Sequence, residues 1–162
     1  MFKLFKTSTP SPTDLLTSTL YDQDTFYSQF IRDLQHCNSE AVIESPFITG
    51  RRLATLTPTF KKLRARGVNI VINTRPPGEH EDDFMRHEAW QALAILQNMG
   101  VSVFHTGGHH RKLAILDCRI LFEGSLNILS QNDSCEIMRR IESQALAQQV
   151  MDFTKLHKLM RQ

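Results

Sequence analysis

Short apolar segments alternate with amphipathic helical segments along most of the chain, and this alternation constrains the fold more than any other feature. The segment Val68 to Asn73, for example, is largely apolar and β-branched, as expected of a buried strand. Strands separated by helices pair in parallel through right-handed crossovers, and helices then cover both faces of the sheet. We therefore predict an α/β domain. The predicted strands are 41–48, 68–73 and 101–104, and the predicted helices are 14–37, 51–66, 84–99 and 143–160.

Local sequence features indicate where several of these elements begin and end. Two prolines make the first dozen residues a poor helix, so we assign 1–13 to a polar lead and 14–162 to one folded domain. Pro58 predicts that the second helix restarts there, because proline is favoured in the first turn of a helix. The last helix carries a stripe at spacings of three and four that predicts packing in a core or an interface. The stripe consists of Leu146, Val150, Phe153, His157 and Met160.

The composition allows a folded core but does not by itself indicate a polyanionic partner. The chain has 162 residues, of which 41% are hydrophobic, which suits one compact domain. Lys and Arg number 19 against 17 Asp and Glu, so the net charge is only +2, and affinity for nucleic acid must come from local clusters. The three cysteines form no CxxC pair, so we expect reduced thiols and no zinc site.

The N-terminal segment carries no pattern typical of export or membrane insertion. It begins MFKLFK and continues with Thr, Ser and Pro instead of a long apolar run. We therefore predict neither a signal peptide nor a membrane span, and we expect a cytoplasmic protein without a membrane partner.

A histidine, a lysine and an asparagine recur at a spacing that suits chemistry on an anionic group. The stretch His110 to Asp117 reads HRKLAILD, and Gly124 to Asn127, GSLN, follows it after six residues. Side chains alternate between faces in an extended segment, so His110 and Lys112 emerge on the same side. A neutral imidazole can attack phosphorus or relay a proton, while an ammonium and an amide can hold the non-bridging oxygens. The pattern therefore predicts a phosphoryl-transfer site.

These residues resemble the phospholipase D superfamily. The resemblance rests on the H-x-K-x4-D signature, on the G-S-x-N that follows at the family's spacing, and on a later glutamate that pairs with the family's histidine. The matching residues are His110, Lys112, Asp117, Gly124, Ser125, Asn127 and Glu136. The segments 45–47, 66–68 and 74–76 also resemble the small bacterial nuclease branch and the phospholipase D-like domains attached to helicases. The resemblance covers roughly residues 20 to 160. It implies a single-domain phospholipase D-like fold, with a mixed, largely parallel sheet between helices.

The resemblance also implies a mechanism and an assembly. Family members use two facing copies of the histidine motif, and this chain carries one, so a homodimer with the site on its two-fold axis is the simplest completion. One His110 would form a phosphohistidine while the other protonates the leaving oxygen. Lys112 and Asn127 would stabilise the equatorial oxygens, and Glu136 would orient the imidazole. No metal or other cofactor is required, since cationic side chains supply the positive charge.

The remaining candidates have a functional and a structural interpretation. Ser125 either donates to phosphate or bonds its own loop, whereas Asp117 and Gly124 are expected to be structural parts of the motif. Arg75 lies on a loop after a strand, so we expect it to contact substrate. The basic residues between Arg51 and Arg66 form a solvated helix face, which we favour, or a DNA groove. The histidines expected to be structural or solvated are His105, His109 and His157.

Three functions are consistent with these features. The first is a metal-independent phosphodiesterase that cleaves single- or double-stranded DNA as an endonuclease. The second is a phospholipid-acting phosphodiesterase, against which stand a single tryptophan and no long apolar segment. The third is a catalytically weak nucleic-acid-binding module that serves a helicase or defence partner, and the intact motif argues against it.

Overall fold

The computed structural model describes residues 9–130 and 133–159, and within them seven strands form one mixed sheet. The strands are β1 (Thr19–Asp22), β2 (Glu40–Glu44), β3 (Asn69–Thr74), β4 (Ser102–His105), β5 (Leu113–Leu116), β6 (Ile120–Gly124) and β7 (Ile137–Glu142). Their order across the sheet is β1-β7-β6-β5-β2-β3-β4. β2, β3 and β4 are parallel, and the other four neighbouring pairs are antiparallel. The sheet is therefore mixed, as predicted, but it is not largely parallel, because β5, β6 and β7 follow one another without crossover helices.

Helices cover both faces of the sheet, as predicted. They are α1 (Pro12–Leu16), α2 (Phe26–Gln35), α3 (Gly50–Ala65), α4 (Asp83–Asn98), α5 (Gln144–Thr154) and α6 (Leu156–Leu159), with a 3-10 turn at Pro77–Glu79. On the face covered by α2, α3 and α4, Phe122 meets the rings of Phe26 and Phe30 edge-on, at centroid distances of 5.6 and 5.4 Å. α5 and α6 cover part of the other face through Met151 and Leu156. None of the described helices is long and apolar enough to span a membrane.

The central strands are apolar on both sides because each side meets a helical layer. In β2, Ala41 and Ile43 face the larger core, and Val42 faces the smaller core under α5 and α6. Full burial of a side chain such as Ile43 contributes about 1.5–3 kcal/mol to folding. β2 ends at Glu44, before the predicted end at Ile48, because Pro46 has no N–H with which to continue the strand pairing.

The helix predicted at 14–37 is wrong, because three elements occupy that segment. α1 begins at Pro12, inside the predicted lead, since proline is tolerated at the first helical position and Ser11 caps the helix. β1 then pairs with β7 before α2 begins. Asp22 makes the turn between them, where its Oδ1 accepts hydrogen bonds from the N–H and the Oγ of Thr25 (2.9 and 2.6 Å).

The predicted restart at Pro58 is also wrong. α3 runs through this residue, and its N-cap is Thr49, whose Oγ accepts a hydrogen bond from the N–H of Arg52. Proline lacks an N–H, so the carbonyl of Ala54 loses its helical partner. Ala54 lies on the exposed side of α3, where water can replace the missing donor.

The last predicted helix is interrupted within its range. Lys155 adopts a left-handed conformation with φ of 57° and separates α5 from α6. The predicted stripe does not form one buried face. Phe153 is 87% exposed, whereas Leu146 and Val150 are half-buried. Met160, the last residue of the stripe, lies outside the described residues.

Candidate active site

The motif residues lie next to the ends of three neighbouring strands, β5, β6 and β7, at the same edge of the sheet. β2, β3 and β6 end at this edge, whereas β5 and β7 begin there, as their pairing directions require. His110 and Lys112 directly precede β5, Asn127 follows β6, and Glu136 directly precedes β7. The four predicted catalytic residues are thus carried to one edge of the molecule.

The histidine–lysine segment leads directly into β5, with His110 exposed and Lys112 half-buried. The Nζ of Lys112 donates a hydrogen bond to the carbonyl of His110 (2.8 Å), so the ammonium lies over the backbone of the histidine. The carbonyl of Lys112 accepts a hydrogen bond from the N–H of Gly124 (3.3 Å), which joins this segment to the G-S-x-N segment. An imidazole and an ammonium are therefore presented together next to β6.

Gly124 and Ser125 hold the end of β6 against the start of β7. A Cβ on Gly124 would overlap the carbonyl of Ile137 and lie 2.9 Å from the Cα of Met138, so only glycine fits. The N–H of Ser125 donates to the carbonyl of Ile137 (3.0 Å), and its Oγ accepts from the N–H of Ile137 (3.1 Å). The serine oxygen therefore supports its own loop, and the hydroxyl proton is not used in that bond.

Asn127 lies on a loop that is anchored on both sides. The carbonyl of Ile128 accepts a hydrogen bond from the hydroxyl of Tyr27 (2.9 Å), and the N–H of Leu129 donates to the Oγ of Ser45 at the end of β2 (3.1 Å). Among the described residues, the buried Oδ1 of Asn127 has no hydrogen-bond partner. The anchored backbone therefore sets the position of Asn127, because Oδ1 makes no hydrogen bond within the described residues.

Glu136 is half-buried and belongs to the short segment before β7. Its Oε1 accepts a hydrogen bond from the Oγ of Ser134 (2.9 Å), and its N–H donates to Oε1 of Gln23 after β1 (3.0 Å). The carboxylate therefore has a partner within its own segment, and its orientation of an imidazole stays a prediction.

Asp117 lies at the opposite edge of the sheet, where β5 ends. Its carboxylate accepts hydrogen bonds from the N–H groups of Asn38, Ser39 and Glu40 (2.8, 2.8 and 3.0 Å) and from the thiol of Cys37 (3.1 Å). Burial opposes ionisation of Asp117, but these donors outweigh it and hold the pKa of Asp117 well below its usual value of 3.8. Burial, and then the contact with Asp117, raises the pKa of Cys37 to about 12. This motif residue ties the entry of β2 to the exit of β5.

Glu44 is a buried polar residue of this edge that the sequence analysis missed. Its side chain is completely buried and forms a two-point ion pair with Arg111 (Nε–Oε2 2.6 Å, Nη2–Oε1 2.7 Å). Next to Arg111, His109 is buried, and burial lowers the pKa of its imidazole despite the opposing charge of Glu44. A glutamate inside the apolar strand segment AVIES is the signal that could have revealed this cluster.

Arg75 follows β3, as expected, but its guanidinium is engaged. It pairs with Glu79 (3.4 Å) and lies 5.7 Å from the centroid of the Phe47 ring. Glu79 in turn accepts a hydrogen bond from the N–H of Gly108 (2.9 Å), two residues before the motif histidine. These residues border a cavity of about 280 Å³, which Glu81 and Asp82 also line, so carboxylates outnumber guanidinium groups there.

Part of the basic cluster of α3 holds the fold together. Arg64 donates to the carbonyl of Val68 (2.7 Å), Arg66 donates to the carbonyl of Gln35 (2.7 Å), and the guanidinium of Arg52 lies 3.6 Å from the centroid of the Tyr27 ring. These contacts favour a structural interpretation for three of the predicted basic residues.

The sheet face that α5 and α6 leave open carries a second cavity, of about 410 Å³, beside the motif. Lys112 and Gly124 line it together with Arg111 and Arg139, and Glu123 contributes one negative charge.

Among the described residues, no group of three metal-ligating side chains is arranged as a metal site.

Comparison with known proteins places this site in a family. The model of the family described as "Cardiolipin synthase, PLD-like domain" matches residues 30–156. No curated protein matches the sequence significantly.

Three of the solved structures that share the fold do so at low sequence identity. The phospholipase D family member Nuc from Salmonella typhimurium is 14% identical, with a TM-score of 0.68, over 85% of this chain and 90% of Nuc. NucT from Helicobacter pylori is 16% identical, with a TM-score of 0.68, over 86% of this chain and 93% of NucT. The phosphatidylserine synthase of Haemophilus influenzae Rd KW20 is 16% identical, with a TM-score of 0.63, over 90% of this chain and 38% of the synthase.

The family match covers well over half of the chain and includes both motifs and Glu136. Together with the seven-stranded sheet, it means that the chain belongs to the phospholipase D superfamily of phosphodiester-processing enzymes.

Proposed function

We propose that this protein is a metal-independent phosphodiesterase, specifically a DNA endonuclease whose site is shared by two subunits of a homodimer. The observation that carries the proposal is the convergence of His110, Lys112 and Asn127 at one sheet edge, on segments held by β5, β6 and β2. An exposed imidazole next to an ammonium and an amide suits in-line attack on a phosphodiester.

The chemistry would proceed in two steps. His110 of one subunit attacks phosphorus, a P–N bond forms, and the P–O bond to the leaving group breaks. His110 of the second subunit gives the leaving oxygen its proton. That second imidazole then takes a proton from water, which attacks phosphorus and breaks the P–N bond, so both histidines return to their starting states.

The other motif residues would act on charge and orientation. Lys112 and Asn127 donate to the equatorial oxygens, where negative charge develops, so no metal ion is needed to neutralise them. Glu136 of one or the other subunit selects the imidazole tautomer by accepting its second N–H. Ser125 has a hydroxyl proton left for a phosphate oxygen.

The homodimer is supported by the open sheet face next to the motif. Leu20 and Ile137 are 55% and 59% exposed there, and Phe153 is exposed on the helix that covers the rest of this face. An exposed apolar surface of this kind indicates an interaction site. A two-fold contact across this face would bring two copies of Lys112, which lines its cavity, close to each other.

DNA as the substrate is supported by the charges of the two cavities. Lys112 and Arg139 line the open-face cavity with Glu123 as the one acid among its described lining residues, while the charge of Arg111 is paired with Glu44. Such a surface attracts a polyanion. The cavity beside Arg75 has the opposite balance, with three carboxylates. We therefore expect the phosphate backbone of DNA to lie closer to Arg139 than to Arg75. The contact between Arg75 and the substrate stays a prediction.

A phospholipid-acting phosphodiesterase is the second candidate. It is favoured by the match to a family model described by a cardiolipin synthase and by the shared fold of a phosphatidylserine synthase. Both observations concern a phosphodiester chemistry that is compatible with the same motif.

The test is a substrate panel in excess EDTA that compares single-stranded DNA, duplex DNA and phospholipid vesicles. We expect DNA cleavage by the wild type, and we expect His110→Ala to lower it by on the order of 10³-fold or more without loss of folding. His105→Ala, which removes another exposed histidine, is the matched control and should retain activity. A strict requirement for a divalent metal would contradict the mechanism, and faster phospholipid turnover would favour the second candidate.

A further inference from the structure

Arg111 lies between the two motif residues His110 and Lys112, in the segment that directly precedes β5. Its guanidinium reaches the end of β2. There it donates two hydrogen bonds to the carboxylate of Glu44, at 2.6 and 2.7 Å. Such a two-point pair fixes both the direction and the rotation of the arginine side chain, which a single hydrogen bond does not.

The carboxylate of Glu44 is itself held from several elements. Oε1 also accepts a hydrogen bond from the side-chain amide of Asn73 on β3 (2.8 Å), and Oδ1 of Asn73 accepts one from the hydroxyl of Thr106 (3.0 Å). Glu44, Asn73 and the backbone around them are buried in the central parallel strands. The partner of Arg111 is therefore part of the rigid centre of the sheet.

The motif segment needs such an anchor because the strand pairing stops before it. The pairing of β5 with β2 ends at Leu113, opposite Glu44, so residues 110–112 extend beyond that ladder. On the β6 side, Lys112 accepts one backbone hydrogen bond, at 3.3 Å. The Arg111–Glu44 pair takes the place of the missing ladder at the residue between His110 and Lys112.

We propose that Glu44 and Arg111 are positioning residues, which act through His110 and Lys112 and do not touch the substrate. The inference rests on the proposed function. Stability alone is a poor reason for the pair. Glu44 is fully buried and the Arg111 side chain is 42% exposed, and ion pairs at both buried and exposed positions contribute little net stability. Alignment is a sufficient reason, since a displacement of about 1 Å in a reacting group can cost about 100-fold in rate.

The test separates alignment from stability with an uncharged pair. Removing one partner, as in Arg111→Met, leaves Glu44 buried and unpaired and should lower both stability and kcat. The double variant Glu44→Gln/Arg111→Met removes both charges and keeps an oxygen that accepts from Asn73. We expect it to melt within a few degrees of the wild type, while kcat for bis(nitrophenyl) phosphate falls about 10- to 100-fold and KM stays within twofold.

Two further variants complete the design. Arg111→Lys keeps the charge but loses the two-point geometry, so its kcat should fall several-fold at unchanged KM, and this variant decides the question if the double variant unfolds. Arg119→Met is the matched control, because it removes the exposed Arg119–Glu142 pair (2.8 Å), which lies away from the motif edge, and it should leave kcat unchanged.

The outcomes are distinguishable. A double variant or Arg111→Lys variant that folds and keeps the wild-type kcat would overturn the inference while leaving the proposed function intact. A loss confined to KM would also overturn it, because that would mean direct substrate contact. A wild type that hydrolyses neither this phosphodiester nor DNA would overturn the proposed function and the inference together.

Discussion

At the scale of single residues, one sequence motif serves two ends of the sheet. His110 and Lys112 lie at the edge where β5 begins, and Asp117 lies at the edge where it ends. β5 consists only of Leu113–Leu116, the four residues between Lys112 and Asp117. The lysine and the aspartate therefore lie at opposite ends of the same short strand. Asp117 acts on the position of β5 through the backbone around Ser39, and it is too far along the strand to touch the reacting group.

The carboxylate of Asp117 should make stability depend on pH. Its pKa is below 3.8 in the folded protein, so its stabilising effect is complete above about pH 5 and is lost as the pH falls through and below 3.8. Asp117→Asn should lower the free energy of unfolding at pH 7 by about 2 kcal/mol or more, since hydrogen bonds to a charged group contribute roughly 1.5–3 kcal/mol.

Urea unfolding of both proteins from pH 7 to pH 3 measures this effect. The difference between wild type and Asp117→Asn should shrink as the pH decreases. A difference that stays constant over this range would mean that the charge of Asp117 does not stabilise the fold.

At the scale of helices and strands, local patterns predicted the central elements better than the N-terminal ones. The parallel strands and α4 have strong periodicity and clear glycine or proline boundaries, so their positions agree with prediction within a few residues. β1 was missed because the helical spacing of Phe26, Phe30 and Leu34 was extended back over it, and its pairing partner, β7, lies more than a hundred residues away. Strand pairing over such distances leaves no local sequence signal.

The candidate site was likewise predictable where its signal is local in the sequence, and not where it depends on long-range contacts. The motif residues follow from spacing and resemblance, whereas the Glu44–Arg111 pair joins residues 67 positions apart and depends on the β2–β5 register. Likewise, the guanidinium of Arg75 was expected to be available, but its pairing with Glu79 depends on the 3-10 turn between β3 and α4. Contacts of this kind are set by tertiary structure.

The close approach of β6 and β7 gives a prediction at this scale. Gly124→Ala should force the strands apart at Ile137 and lower stability by about 1–3 kcal/mol, with loss of activity because Ser125 and Asn127 move with β6. Thermal unfolding and kcat on DNA measure the two effects.

Gly78→Ala is the control for that substitution, since no atom lies within 4 Å of the added Cβ. It should have the melting temperature and activity of the wild type. A Gly124→Ala protein as stable and active as this control would refute the packing argument.

At the scale of the whole molecule, the layers of the fold are unequal. Three helices cover one face of the sheet, while α5 and α6 cover only part of the other face. The part that they leave open lies next to the motif edge. The exposed apolar residues Leu20 and Ile137 lie on strands at this open side. The proposed homodimer accounts for both the open face and the single copy of the motif.

A charge placed on the open face should prevent dimer formation. Leu20→Glu, on β1, should give a monomer with little DNA cleavage, because burying an unpaired carboxylate in an interface costs several kcal/mol. Sedimentation velocity and cleavage assays at the same protein concentration measure both results.

Ile95→Glu is the matched control, since Ile95 is 44% exposed on α4, on the opposite layer. This variant should stay dimeric and active. An active Leu20→Glu monomer, or a monomeric Ile95→Glu variant, would place the interface elsewhere.

The most direct test of the account is the activity of mixed dimers in excess EDTA. A fixed amount of wild-type subunits is allowed to exchange with increasing amounts of His110→Ala subunits, and DNA cleavage is measured per wild-type subunit. If each site needs one imidazole to attack and another to protonate, this activity should fall toward zero as heterodimers replace wild-type dimers. Activity per wild-type subunit that stays constant through complete exchange would contradict the shared site.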